Sequence, residues 1–209
     1  EQAMGGIEGF QAGSTFKAFT AAAALDIGMT PDHSYDSPAQ FHVQDHEWVS
    51  CDQRFPGVKH TVSNLGRRNY GHIDMRQGMN NSVNTYFMAL LRDVGICNTT
   101  TMTEKVGVKL ANGAPMSSES HVATFTLGTA YVTPLSMAEG YATFANRGVH
   151  CTPIILRSVT TKDGKDLEVP SANCEQVIRP EVADGVNYLL QGVATNGTGR
   201  PAAIRDGRD

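Results

Sequence analysis

The stretch 16–27 (FKAFTAAAALDI) constrains the fold more than any other part of the sequence, because it is rich in alanine and almost entirely apolar. Ser14 stands before it at a position suited to a helix N-cap, and Gly28 follows it as a stop signal. Only Lys17 and one aspartate interrupt the apolar run, which is shorter than the roughly 18 residues that a membrane-spanning helix needs. We therefore expect a buried helix over residues 14–28.

The rest of the chain predicts an α+β fold that is mainly helical, with a small β component. Apolar residues recur at helical spacing in several segments, namely 74–95 with a break at Asn80-Asn81, 99–107, 134–147 and 181–194. Two strands, 153–161 and 166–170, are predicted to form a hairpin around the turn Asp163-Gly164. Residues 29–73 are rich in proline and glycine, which favours loops and a short hairpin near Trp48.

The charge of the chain argues against a nucleic-acid partner. Seventeen Lys and Arg residues stand against 21 Asp and Glu residues, which gives a formal net charge of −4. Nucleic-acid binding needs a clustered positive field, and the sequence contains no basic cluster longer than Arg67-Arg68. We expect no nucleic-acid partner.

The four cysteines predict disulfides more readily than a metal site. None of them shows CxxC spacing, so a zinc site or a dithiol redox motif is not expected. Partners across the predicted hairpin have residue numbers that sum to about 327, and Cys151 and Cys174 sum to 325. A free pair and a disulfide both remain open here, as does the pairing of Cys51 with Cys97. A disulfide would indicate an oxidising, extracytoplasmic setting.

Ser14 and Lys17 form an S-x-x-K pair at the start of the predicted helix. Residues three apart share one helical face, so the amine can reach the hydroxyl. Burial can lower the pKa of a lysine far enough for its neutral amine to act as a base toward serine. The alternative is a capping serine beside a solvated lysine, and the isolated motif favours that alternative.

Ser82 and Asn84 form a Ser-x-Asn triplet at the predicted break between two helices. Ser82 could relay a proton between the lysine and a leaving group, and Asn84 could hold a substrate amide through its paired donor and acceptor. Serine and asparagine also favour helix caps, so this triplet is weak evidence when it is considered alone.

Taken together and in this order, the motifs resemble those of the penicillin-binding proteins in their transpeptidase domain, whose signature also occurs in class A β-lactamases. The resemblance extends to longer stretches of the sequence. It includes GFQAGSTFKAFTAAAAL, YGHIDMRQGMNNSVNTYF, TFTLGTAYVTPLSMAEGYATFANRG and GTGRPA at 197–202. The third of these stretches is similar to class A, bifunctional members.

The resemblance implies the penicillin-binding-protein/β-lactamase-like α+β fold and a D,D-transpeptidase that cross-links peptidoglycan without a cofactor or metal. Carried over, Ser14 is the acylated nucleophile, Lys17 its base, Ser82 the proton relay and Asn84 a substrate contact. The implied partners are D-Ala-D-Ala stem peptides and β-lactam antibiotics. The implied location is the extracytoplasmic face of a bacterial cell membrane, with the anchor outside this chain.

One departure from the family pattern concerns its third motif, because the 209 residues contain no Lys-Thr-Gly. In the family that motif lies on an edge strand of the central sheet. We therefore expect residues 1–209 to be a transpeptidase domain that lacks central-sheet strands at both ends. The remainder of the same protein would supply the Lys-Thr-Gly strand, and residues 1–209 produced alone should acylate poorly.

Two related functions and one unrelated site remain as alternatives. A serine β-lactamase or a non-catalytic β-lactam-binding sensor could share the fold and the first motifs. The stretch 124–148 favours the transpeptidase over the lactamase, and the intact motif residues argue against a sensor. His42 and His46 have the i, i+4 spacing of metal ligands, but their loop-like surroundings favour a polar surface.

Overall fold

Helices dominate the part of the chain that this computed structural model describes, which comprises residues 9–43, 48, 51, 60–119 and 122–202. The α-helices are α1 (Lys17–Asp26), α2 (Met75–Asn80), α3 (Asn84–Val94), α4 (Ile96–Lys105), α5 (Pro134–Ala145) and α6 (Pro180–Asn196). Short 3-10 turns lie at Gly13–Phe16, Leu65–Arg67, Met116–Glu119, Phe125–Leu127 and Arg200–Ala202. Among the described helices, none is long and apolar enough to cross a membrane.

Most of the helix predictions are confirmed. The predicted break at Asn80-Asn81 separates α2 from α3, and the helices expected near 134–147 and 181–194 are α5 and α6. Two predicted starts were wrong. The helix expected from residue 99 begins at Ile96, directly after Gly95 ends α3 at a φ of +85°. The α-helix expected from Ser14 begins at Lys17, after a 3-10 turn.

The described strands are short and pair antiparallel in twos. The pairs are β1 (Phe10–Gln11) with β6 (Tyr131–Val132), β2 (Ser34–Ser37) with β5 (Gly71–Asp74), β3 (Gln40–Val43) with β4 (His60–Ser63), β7 (Val149–His150) with β10 (Glu175–Gln176), and β8 (Val159–Thr160) with β9 (Asp166–Leu167). The predicted hairpin around Asp163-Gly164 is confirmed as β8–β9, although its strands are much shorter than expected. The short hairpin predicted near Trp48 corresponds to the paired strands β3 and β4, which lie on either side of Trp48 in the sequence. Most of the residues that connect these two strands lie outside the described residues.

The alanine-rich helix lies at the centre of the fold, as its sequence predicts. Every residue of α1 from Lys17 to Ala24 is buried, and α1 packs against α3, α4 and α6. Its alanine side chains are small enough for other helices to approach on all sides. The Phe16 ring packs between those of Phe19 and Phe125, with centroid distances of 5.1 Å and 4.7 Å.

Both cysteine pairs form disulfides in the structure. Cys151 and Cys174 join the ends of the segment that contains the β8–β9 hairpin, as the register of the hairpin suggested. Cys51 and Cys97 join the connection between β3 and β4 to the first turn of α4. The described part of the chain therefore contains no free cysteine.

Candidate active site

Ser14 lies in the 3-10 turn that leads into α1, and its side chain does not cap the helix. Ser14 is the second residue of this turn, which follows Ala12, and the backbone N–H of Lys17 donates to the Ser14 carbonyl. Gly13 has a φ of +60°, and the N-cap residue of α1 is Phe16, with no side-chain cap hydrogen bond. The predicted N-cap role was therefore wrong, and the Ser14 hydroxyl is free to face the cleft beside α1.

Lys17 brings the predicted site residues together. Its Nζ lies 3.2 Å from Ser14 Oγ, 2.9 Å from Ser82 Oγ and 2.7 Å from the Ser82 carbonyl oxygen. A fourth contact joins Nζ to Asn84 Oδ1 at 2.7 Å. Residues that are 65 and 67 positions apart in the sequence thus converge on one amine, as the two motifs predict when they are combined.

The environment of Lys17 favours its neutral form. The side chain is only 1% exposed, and Nζ lies 5.5 Å from the centre of the Phe87 ring. Burial lowers the pKa of Lys17 from its ordinary value of 10.5 to about 7, because the charged ammonium loses its hydration. Near neutral pH a large share of the molecules therefore carries an amine with a free lone pair.

The contacts of the neutral amine leave its lone pair directed at the serine hydroxyls. A neutral amine has two hydrogens, and two of its contacts, the Ser82 carbonyl oxygen and Asn84 Oδ1, can only accept. Both hydrogens are then used. The single lone pair is left for a hydroxyl, and either Ser14 or Ser82 can donate its proton to Nζ. This arrangement holds the amine ready to receive a proton from serine.

The backbone at Ser82 places two of its oxygens beside the amine. Ser82 has a φ of +52°, in the left-handed region that a residue with a Cβ adopts at a cost of about 1–2 kcal/mol. Its N–H donates to the Met79 carbonyl and the next N–H donates to Gly78, which closes the end of α2. The chain then turns into α3, with both the hydroxyl and the carbonyl of Ser82 directed at Lys17.

Asn84 is held in one orientation by a second contact. Its Nδ2 donates to the Ser63 carbonyl oxygen at 2.9 Å, at the end of β4. The amide oxygen must then point the other way, toward Lys17. The amide still has one further N–H and one further oxygen lone pair with which it could contact a substrate.

A cleft of about 160 Å³ opens beside Ser14 and Ser82. Its other side is formed by Tyr141 of α5 and by Leu190 and Val193 of α6, with Thr198 at the rim. The sequence predicted Tyr141, Leu190 and Val193 only as apolar residues of helices, and no local pattern marks them as part of a site. Thr198 lies in the GTGRPA segment, which the resemblance had singled out.

Tyr141 and Gly128 support the turn that carries Ser14. The Tyr141 hydroxyl donates to the Thr15 carbonyl at 2.7 Å, and burial raises the pKa of this tyrosine to about 12, so it stays protonated. Gly128 has a φ of +73°, and its carbonyl accepts from the Gly13 N–H at 3.1 Å. A Cβ at Gly128 would overlap the backbone of Gly13, so glycine is required at this close approach.

The alternative of a metal site near residues 42–46 gains no support. His42 Nδ1 lies 3.0 Å from Thr61 Oγ1 across the β3–β4 pair, and His46 lies outside the described residues. Within the part that is described, no group of three or more His, Cys, Asp or Glu side chains could hold a metal ion.

Comparison with known proteins shows the family of the chain. Residues 7–208 match the family model of the penicillin-binding protein transpeptidase domain. Penicillin-binding protein 1A of Aquifex aeolicus is 30% identical over 200 residues, which cover 94% of this chain and 25% of the relative. Penicillin-binding protein 1A of Neisseria meningitidis is 31% identical over 200 residues, which cover 92% of this chain and 23% of the relative. The chain thus spans about a quarter of the length of these relatives.

Solved structures show the same fold. The D,D-transpeptidase domain of the peptidoglycan glycosyltransferase from Eggerthella lenta superposes with a TM-score of 0.75 at 25% identity, over 94% of this chain and 51% of that chain. Penicillin-binding protein A of Mycobacterium tuberculosis, in its imipenem acyl-enzyme complex, gives a TM-score of 0.77 at 22% identity, over 96% and 47%. Because residues 7–208 match the family model, the relatives are class A members and the solved structures share its α+β fold, this chain belongs to the penicillin-binding protein transpeptidase family.

Proposed function

We propose that the chain carries the acylation site of a peptidoglycan D,D-transpeptidase, with Ser14 as the nucleophile. The observation that carries the proposal is the buried amine of Lys17, which contacts Ser14, Ser82 and Asn84 at 2.7–3.2 Å. An amine with a lowered pKa, adjacent to a serine hydroxyl at the edge of a cleft, is the arrangement that serine needs for nucleophilic attack. The family of the chain makes an acyl-transfer reaction the natural use of this arrangement.

In the proposed reaction, Lys17 accepts the proton of Ser14 while Ser14 Oγ attacks the carbonyl carbon of the penultimate D-alanine. The peptide bond to the terminal D-alanine then breaks, and the departing amine takes up a proton from Lys17 through the Ser82 hydroxyl, which lies 2.9 Å from Nζ. An ester on Ser14 results. An amine from a neighbouring strand attacks this ester and transfers its own proton back through the same two residues, which regenerates Ser14.

The remaining proposed roles and partners follow from the same site. Asn84 contacts the donor peptide, and β-lactams acylate Ser14 because they mimic the D-Ala-D-Ala terminus. Two disulfides within the described residues support an oxidising location outside the cytoplasm. Among the functional alternatives, a β-lactamase receives no support from the relatives, which carry the name penicillin-binding protein.

The experiment that tests the proposal is labelling of the protein, produced from its complete gene, with a fluorescent penicillin. We expect one label per molecule, mapped to Ser14 by mass spectrometry, and no label in Ser14→Ala. Ser118→Ala is the matched control, because Ser118 is an exposed serine in the 3-10 turn at Met116–Glu119. Label that persists in Ser14→Ala would contradict the assignment, and rapid release of hydrolysed drug would favour the β-lactamase.

A further inference from the structure

The helix that begins at Asn84 has no N-terminal cap of its own. The N-cap residue is Val83, which has no side-chain oxygen, and no side chain of the cap residue accepts a bond from the first turn. Ser82 and Asn84 are the nearest polar residues, but the side chains of both are directed at Lys17. The free N–H groups in the first turn of α3 therefore need an acceptor from elsewhere in the fold.

Asn64 supplies that acceptor from a distant part of the chain. Its Oδ1 accepts from the backbone N–H of Thr85, the second residue of α3, at 3.0 Å. The side chain lies at the end of β4 and the residue is only 4% exposed. Asn64 thus performs the task that an N-cap side chain normally performs, and α3 keeps Ser82 and Asn84 available for the amine.

The other end of the same amide joins the loops around the site. Asn64 Nδ2 donates to the carbonyl oxygens of Pro38 and Arg68, each at 2.9 Å, and lies 3.0 Å from Thr85 Oγ1. The backbone N–H of Asn64 donates to the Ala39 carbonyl at 3.1 Å. These bonds fix the backbone where β4 ends and hold it against the start of α3.

The fixed backbone includes the carbonyl that orients Asn84. Ser63 directly precedes Asn64, and its carbonyl oxygen accepts from Asn84 Nδ2 at 2.9 Å. That bond turns Asn84 Oδ1 toward Lys17. A continuous chain of contacts therefore runs from Asn64 through the Ser63 carbonyl to Asn84 and on to the amine.

We propose that Asn64 is a positioning residue of the acylation site, which acts by holding the Ser63 carbonyl and the first turn of α3 so that Asn84 contacts Lys17. The proposal rests on the proposed function. Asn64 forms no hydrogen bond with the amine or with the residues that line the cleft, and its contacts lead to the amine through Asn84.

A double-mutant cycle with Asn64→Ala and Asn84→Ala tests this proposal, with the rate of acylation by a fluorescent penicillin as the readout. Loss of a positioning contact commonly slows a reaction by about tenfold or more, and we expect an effect of about that size for Asn64→Ala alone. In the Asn84→Ala background the same substitution should change the rate by less than about twofold, because the residue through which it acts is gone. An equal factor in both backgrounds would overturn the proposal, as would an unchanged rate in the single variant.

Thermal unfolding of the same variants separates positioning from loss of stability. Asn64→Ala should lower the unfolding midpoint in both backgrounds, whereas its effect on acylation should vanish in one of them. Asn187→Ala is the matched control, since Asn187 Nδ2 donates to the Phe144 carbonyl at 2.8 Å in a half-buried position that does not lead to Asn84. This control should lower the midpoint and leave the acylation rate unchanged.

A milder variant keeps the test decisive if Asn64→Ala does not fold. Thr85→Val removes only the hydroxyl beside Asn64 Nδ2 and leaves its two hydrogens with Pro38 and Arg68. A reduction of about threefold is expected, and it should again be absent in the Asn84→Ala background. If the wild type is labelled at Ser14 but the effects of the two substitutions on the acylation rate are additive, only the positioning role of Asn64 is contradicted. If Ser14 is not labelled at all, the proposed function fails.

Discussion

Replacement of Lys17 by methionine should remove a pH dependence from the stability of the fold. Burial lowers the pKa of Lys17 in the folded protein from 10.5 to about 7, whereas the unfolded chain keeps the ordinary value. Between these two pH values the unfolded state binds one more proton at this position than the folded state. The contribution of Lys17 to the free energy of unfolding therefore becomes more favourable as pH rises through that window.

The size of the effect follows from the proton count. A difference of one bound proton changes the free energy of unfolding by about 1.4 kcal/mol per pH unit. From pH 7 to pH 9, the stability of the wild type should thus rise relative to that of Lys17→Met by roughly 2–3 kcal/mol. The slope should vanish below the folded pKa, where Lys17 is protonated in both states.

Denaturant unfolding of both proteins at pH 6, 7, 8 and 9 measures this difference. Comparison of the two proteins at each pH cancels the titration of the residues that they share. Lys105→Met is the matched control, because Lys105 is exposed and this variant retains Lys17, so it should keep the slope of the wild type. Parallel curves for the wild type and Lys17→Met would refute the reasoning, since Lys17 would then titrate equally in the folded and unfolded states.

Two further predictions concern the backbone on either side of the amine. Ser82→Gly and Ser82→Ala should both lose most of the acylation rate in a penicillin-labelling assay, but Gly should be the more stable by about 1 kcal/mol in thermal unfolding, because a φ of +52° strains any residue with a Cβ. Equal stability of the two variants would remove the argument from strain. Gly128→Ala should cost roughly 2–3 kcal/mol and slow acylation, because its Cβ would displace Gly13 beside Ser14, the proposed nucleophile. Gly113→Ala, at a φ of +79° with open space around it, should cost only about 1 kcal/mol and leave acylation unchanged; similar losses for the two variants would contradict the proposed close contact.

Much of the helical framework was predictable because its signals are local. The alanine-rich composition of α1 predicted its burial, and the apolar spacing in α6 predicted its inward face, where Val182, Val186 and Leu189 are buried. The convergence of the two motifs was predictable only through the resemblance, since nothing local in either motif indicates the other.

The residues that the sequence did not reveal are held by contacts between distant segments. Asn64, Tyr141 and Gly128 lie in three different segments, and each makes its decisive bond with a residue far away in the sequence. The misplaced N-cap at Ser14 has the same origin. Local propensity favours a cap at Ser14, but the Gly13 N–H donates to the distant Gly128 carbonyl and a 3-10 turn places Ser14 ahead of α1, so tertiary structure overrides the propensity.

The most direct test of the central claim is the rate of Ser14 acylation by a penicillin as a function of pH. The rate is measured by intact mass and the adduct is mapped to Ser14 by peptide mass spectrometry. With Lys17 as the base and a pKa of about 7, the rate should rise about tenfold per pH unit below that value and level off above it. Lys17→Met should lose this dependence together with nearly all of the rate. A rate that continues to rise tenfold per unit up to pH 9, or a Lys17→Met variant that retains the profile of the wild type, would contradict the account.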